Sequence, residues 1–222
     1  MSTKELDSLT QEIISCRKCP RLVAWREEVA QTKRKAYLDH EYWGKPIPGF
    51  GDPQAQVMVV GLAPGAHGSN RTGRQFTGDA SGDFLFPALH RAGFASLPNA
   101  IARDDEMRLS EMWITSSGRC APPKNKPTSE ELNTCQPFLE REIRIIQPKV
   151  FVALGRIGFD RILRIYNLRK KDYVFSHGAL HQLPNEAWLL ASFHPSRQNT
   201  QTGRLTVEMF DMIWQEARQL IK

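Results

Sequence analysis

The chain has 222 residues, enough for one ordinary domain with a sizeable core. Hydrophobic and charged fractions of 41% and 24% are those of a globular protein and exclude a disordered chain. A formal charge of +6 and a pI of about 9.3 favour an anionic partner, either nucleic acid or a membrane surface.

No apolar run approaches the ~20 residues needed to span a bilayer. The N-terminal MSTKELDSLTQEI is polar and lacks the apolar core of a signal peptide. A cytoplasmic protein without membrane contact is therefore expected, and in a reducing compartment cysteines serve as metal ligands more readily than as disulfides.

Residues 1–50 read as a helical arm, running into a loop rich in Gly and Pro (WGKPIPGFGDP). The arm carries Cys16 and Cys19 as a C-x2-C pair. Gln56–Gly61 (QVMVVG) reads as a buried strand, short and rich in branched residues. The loop after it, Gly61–Asp83 (GLAPGAHGSNRTGRQFTGDASGD), has six glycines in 23 residues. Such a loop approaches a ligand closely and cradles phosphates with its N–H groups. It fits neither the dinucleotide nor the triphosphate fingerprint. Its unusual company is His67, Asn70, Arg71, Arg74, Phe76 and Asp79. Phe76 offers a stacking face for a base, or is an ordinary core residue. Asp79 is either a catalytic carboxylate or the N-cap of the next helix. Phe84, Leu85, Ala88 and Leu89 mark that helix, and Pro87 predicts a late start or a kink.

Glu111–Ser116 (EMWITS) is the second strand. Cys120 and Cys135 follow, separated by 14 residues rich in Pro, Lys and Asn. Four thiolates suit a tetrahedral zinc or an iron–sulfur cluster, and spacing alone leaves the two level. Ser129–Gln147 is a helix with apolar positions Leu132, Phe138, Leu139, Ile143 and Ile146, stopped by Pro148. Lys149–Leu154 (KVFVAL) is the third strand, and Gly155–Tyr166 has helical spacing. Ala187–Phe193 (AWLLASF) is the fourth strand. His194 and Pro195 stand at its exit, followed by Ser196, Arg197, Gln198, Asn199, Thr200, Thr202 and Arg204, donors suited to phosphates and base edges. Leu205–Ile221 closes the chain as a helix. Strand–helix alternation of this kind predicts an α/β fold, a three-layer α/β/α sandwich with a central, mostly parallel four-stranded sheet in a single domain. Function then collects at the carboxyl ends of the strands.

Together these segments closely resemble the iron–sulfur uracil-DNA glycosylases, from about Cys16 to the C-terminal helix. The loop GLAPGAHGSNRTGRQFTGD is the most specific match and resembles family 5, or type B, more than family 4, which has an acidic residue where this chain has Leu62. ITSSGRCAPPKNKP and FHPSRQN match the middle and final motifs. The resemblance implies a 4Fe-4S cluster held by Cys16, Cys19, Cys120 and Cys135. It further implies a monofunctional enzyme, acting as a monomer, that flips a base out of damaged double- or single-stranded DNA and hydrolyses its glycosidic bond.

By that resemblance Asp79 positions or deprotonates the attacking water, and His194 donates to the departing base. Phe76 stacks on the base. Gly61, Ala63, Pro64, Gly65 and His67 line its pocket, and Asn125 reaches in from the cluster loop. Arg71, Arg74, Ser196, Arg197 and Gln198 hold the DNA. Gly65 stands where many members carry Ala. Segment Leu62–Gly65 has no carboxylate or amide to position water, and Ser116 replaces the asparagine that reads uracil in family 4. Both departures suit a repertoire extending to hypoxanthine and xanthine. The competing reading is a non-catalytic iron–sulfur protein that binds nucleic acid, with an electron-transfer protein or a nucleotide hydrolase as further alternatives.

Overall fold

The structure is a computed structural model that describes residues 2–222. It opens with helices α1 (Ser2–Ile14) and α2 (Pro20–Thr32). Pro20 starts α2, where a missing N–H costs nothing. Strands β1 (Phe50–Gly51) and β2 (Val57–Gly61) follow, then a short helix α3 (Ser69–Thr72) and α4 (Ala80–Arg91). Next come β3 (Met112–Ser116), α5 (Ser129–Ile146), β4 (Val150–Leu154) and α6 (Arg156–Ile165). The chain ends with β5 (Leu180–Gln182), β6 (Trp188–Ser192), α7 (Arg197–Gln201) and α8 (Val207–Leu220).

Local chemistry sets the helix limits. Thr128 and Glu131 form a reciprocal capping box at the start of α5. At its end Gln147 takes a left-handed conformation (φ 52°) ahead of Pro148. The late start expected for α4 is corrected: Asp79 caps it through the Ser81 and Gly82 N–H groups, so it begins at Ala80. Pro87 lies inside the helix, which forgoes one backbone hydrogen bond there.

The sheet order is β1-β3-β2-β4-β6-β5. The four expected strands are its parallel centre, and two short antiparallel strands, β1 and β5, extend its edges. Side chains alternate between two cores. Val57, Val59, Ile114 and Val152 face Leu85 and Phe86 of α4 and Phe210 and Trp214 of α8. Met58, Val60, Phe151 and Ala153 face Leu139 of α5 and Phe159 and Ile162 of α6, with Leu6 of α1. This is a three-layer sandwich. From β2 the chain pairs outward to β3 on one side and to β4 on the other. The carboxyl end of β2, at Gly61, is therefore the switch point where open α/β sheets form their binding crevice.

Candidate active site

Three short hydrogen bonds fasten the loop after β2 to the end of β3. The Ser117 N–H and hydroxyl donate to Gly61 O at 2.9 and 3.0 Å, and Gly118 N–H donates to Leu62 O at 2.9 Å. Phe76 is buried, with a left-handed φ of 52°. Its ring fills the space above Gly61, where a Cβ would lie 2.8 Å from Phe76 Cζ.

Asp79 is both a cap and a candidate base. Its Oδ1 accepts from the Ser81 and Gly82 N–H groups at 3.0 and 3.1 Å. Its Oδ2 makes no hydrogen bond among the described residues and lies against Gly65 and Gly68. Burial pushes the carboxyl above its usual range, against the opposing pull of the two N–H groups.

His194 arrives from the other half of the sheet, at the exit of β6. Its ring centroid lies 6.0 Å from that of Phe76, with the planes tilted by 32°. Its backbone carbonyl accepts from Asn199 Nδ2 at 2.8 Å, which fixes the turn. Burial lowers the imidazole to about 4, so it is neutral at neutral pH and able to donate from one nitrogen.

His67 receives support that the sequence did not reveal. Tyr42 OH bonds its Nδ1 at 3.0 Å, and Arg71 Nε donates to its carbonyl at 2.8 Å. Arg71 and Arg74, expected at the DNA, are both buried and internally bonded. Arg71 donates to Gly78 O, bonds His40 Nδ1 and covers the Tyr37 ring. Arg74 pairs with Asp105 at 2.7 Å. Ser196 is the N-cap of α7, while Arg197 and Gln198 are exposed at its start. Asn125 is exposed at the end of a tight turn, Pro123–Asn125, and its N–H bonds Pro122 O. Ala63 and Gly65 are half-buried and Pro64 is buried beside Gly61. Two surface clefts, one beside Tyr173 and His181 and one beside Pro148 and Trp188, contain none of these residues.

Ser116, at the end of β3, is buried. Its hydroxyl donates to Gly118 O at 2.7 Å and accepts from Gln75 Nε2 at 2.9 Å. Gln75 was not foreseen. Its buried amide sits next to Phe76 in sequence and holds the pocket loop to β3.

The four cysteines gather from the turn between α1 and α2, the segment after β3, and α5. All are reduced; Cys120 and Cys135 are buried, and Cys16 and Cys19 half-buried. Burial pushes the Cys120 thiol up to about 12 and raises Cys19 and Cys135, and each of the three also feels Cys16. Among the described residues no three His, Cys, Asp or Glu side chains converge tightly enough to hold one metal ion. Arg26, only 2% exposed, donates from Nη1 to Cys120 Sγ at 2.9 Å and from Nη2 to Cys16 O at 3.2 Å. Among the described residues its Nε has no partner.

The family model described as "Uracil DNA glycosylase superfamily" matches residues 48–218. A type-5 uracil-DNA glycosylase of Thermus thermophilus is 54% identical, covering 96% of this chain and 97% of its own. One from Mycobacterium leprae is 49% identical, covering 97% and 95%. Another, from Mycobacterium bovis, is 47% identical, covering 97% and 81%. The chain belongs to the uracil-DNA glycosylase superfamily and, within it, to the type-5 enzymes.

Proposed function

We propose that the protein is a monofunctional DNA glycosylase that flips uracil, and also hypoxanthine and xanthine, out of damaged DNA and hydrolyses the N-glycosidic bond. The observation that carries this reading is the meeting of Phe76 and His194 rings at the switch point, with the Asp79 carboxylate in the same loop. Glycosidic cleavage builds positive charge on the sugar and negative charge on the departing base. Phe76 stacks on the extruded base. Neutral His194 donates a hydrogen bond to the growing negative charge, as an oxyanion hole does. Asp79 uses its free Oδ2 to orient a water and take its proton, and its raised carboxyl lies closer to the working pH than an exposed one would. Oδ1, held by two N–H groups, fixes the direction of Oδ2. The residues assembled here include no lysine, so no imine forms and the strand is not cut.

Ser116 supports the broader repertoire. Its one hydroxyl proton goes to Gly118 O and one of its lone pairs to Gln75 Nε2, leaving it no hydrogen to donate to the uracil edge. The backbone of Gly61, Ala63, Pro64, Gly65 and His67 then lines a pocket that reads base shape. The exposed Arg197 and Gln198 hold the flanking strand, the chain acts as a monomer, and the cytoplasm is its compartment.

Cys16, Cys19, Cys120 and Cys135 would hold a 4Fe-4S cluster. The fit is supported by Arg26, a buried cation that donates to a cysteine sulfur and whose nearest carboxylate, Glu27 at 3.8 Å, is half-exposed and bonded by Arg17. When bound, the cluster supplies a cross-link between the arm and the core.

The test is base release from duplexes carrying uracil, hypoxanthine or xanthine, with wild type, Asp79→Ala and His194→Ala. Wild type should leave abasic sites, and either substitution should slow release by about two orders of magnitude or more. Binding without base release would instead support the non-catalytic iron–sulfur protein.

A further inference from the structure

We propose that Arg26 is the buried countercharge of the cysteine-held cluster, and the residue that ties the cluster to the base-binding loop. The proposal rests on the cluster reading given above. Arg119, 1% exposed, is as deeply buried and is answered by a carboxylate, Glu142 at 2.6 Å. Arg26 has no such answer. Glu27 is 3.8 Å away, 38% exposed, and both of its oxygens are already bonded by Arg17. A buried guanidinium without an anion is costly, and here it meets only Cys120 Sγ and the Cys16 carbonyl. Four thiolates on an iron–sulfur cube carry net negative charge, which is the missing partner.

The connection to the pocket runs through Asn70, which is wholly buried in α3. Asn70 Nδ2 donates to the Arg26 carbonyl at 3.2 Å. The Asn70 N–H donates to Gly65 O at 3.0 Å, and its own carbonyl accepts from Gly44 N–H at 3.0 Å. Gly65 in turn packs on Asp79 Oδ2. Arg26 is thus a positioning residue: its side chain meets the cluster and its backbone meets the loop that holds the catalytic carboxylate.

An N–H···S hydrogen bond and a nearby positive charge both favour the more negative, reduced cluster, so they raise its reduction potential. The experiment compares wild type, Arg26→Lys and Arg26→Gln, each prepared without oxygen. It reads iron and sulfide per chain, the cluster's reduction potential, the rate of iron loss to a chelator, and amide exchange over residues 65–73 before and after stripping.

Arg26→Gln should shift the potential to more negative values. It should also lose iron about tenfold to a hundredfold faster, the size of one lost charge-assisted hydrogen bond. Arg26→Lys, which keeps the charge, should lie between wild type and Arg26→Gln. Stripping should speed exchange over residues 65–73 in wild type. If Arg26→Gln folds but assembles no cluster, Arg26→Lys must recover it. The proposal is overturned by an Arg26→Gln protein with full iron and unchanged potential, by Arg26→Lys behaving as Arg26→Gln does, or by loop exchange indifferent to stripping. A wild type that binds no iron and sulfide overturns the cluster reading itself, and is recognised before any variant is made.

Discussion

The Asp79 carboxylate occupies the space that a side chain on Gly68 would need: a Cβ there would lie 2.0 Å from Asp79 Oδ2 and 2.6 Å from its Cγ. Glycine at 68 thus leaves the carboxylate its room. At Gly65 the same construction leaves 2.9 Å to Oδ2 alone. Gly68→Ala is therefore expected to displace the carboxylate and slow base release by about two orders of magnitude, on the scale of losing a general base. Overpacking should also cost about 1–3 kcal/mol of stability. Gly65→Ala should be much milder, since a small shift of one oxygen relieves its contact. Single-turnover rates on a uracil duplex check the pair, and equal effects at the two glycines would refute the account.

Asp79 and His194 are both held, by burial, toward their neutral forms. An acid whose folded value is raised destabilises the fold once pH exceeds its unfolded value, because the folded chain must then ionise a buried group. Asp79→Asn keeps a good N-cap and removes that ionisation. The variant should melt at a higher temperature than wild type at neutral pH while its rate of base release collapses. His194, at about 4 when folded, contributes with the opposite sense: stability falls as pH drops from its unfolded value near 6.5 toward 4. The acid limb of the wild-type rate should follow Asp79, since His194 stays neutral above about 4. Melting curves and rates across pH decide both points, and an unchanged or lower melting temperature for Asp79→Asn would remove the strain argument.

How much of this was legible in the sequence varies by residue. The four parallel strands were, because runs such as VMVVG and VFVAL are buried on both faces and need no alternation. The edge strands β1 and β5, with two and three residues, are too short to leave a pattern. Asp79 showed its two possible roles in advance: Oδ1 makes the cap, and Oδ2 is the oxygen the proposed catalytic role would use. The inward bonds of Arg71 and Arg74 were not legible, because a basic residue in a Gly-rich loop looks the same whether its donors face phosphate or the protein's own groups. Arg26 could have been found: Leu22 and Val29 are buried on α2, and Arg26 lies four residues after one and three before the other. A charge on an apolar stripe asks for a buried partner.

The buried Arg74–Asp105 pair is the loop's own staple. Asp105 also accepts from the Ile101, Ala102 and Met107 N–H groups, so one carboxylate gathers residues 101–107 under Arg74. These bonds outweigh burial and hold Asp105 down to about 2. A depressed carboxyl stabilises the fold above its unfolded value and loses that contribution as pH falls through the folded one. About 2 kcal/mol should therefore disappear between roughly pH 4 and pH 2. Asp105→Ala, which strands the Arg74 charge, should cost about 3–5 kcal/mol at neutral pH. Urea unfolding at pH 7 and pH 3 measures both, and a pH-independent difference between wild type and Asp105→Asn would contradict the assignment.

Ser116 gives the sharpest test of how lesions are chosen. With its one proton given to Gly118 O and one lone pair to Gln75 Nε2, its hydroxyl has no hydrogen left to donate to a base edge. Removing it should therefore lower stability without altering choice. Ser116→Ala leaves the buried Gln75 Nε2 with only its longer bond to Ile47 O, 3.4 Å, and should cost about 1–3 kcal/mol. The ratio of kcat/KM for uracil over hypoxanthine should stay within about threefold of wild type, well below what loss of a specific base contact produces. Competition between the two duplexes in one reaction gives that ratio directly. A shift of about tenfold or more would mean that the hydroxyl leaves Gly118 when a base arrives and reads it after all.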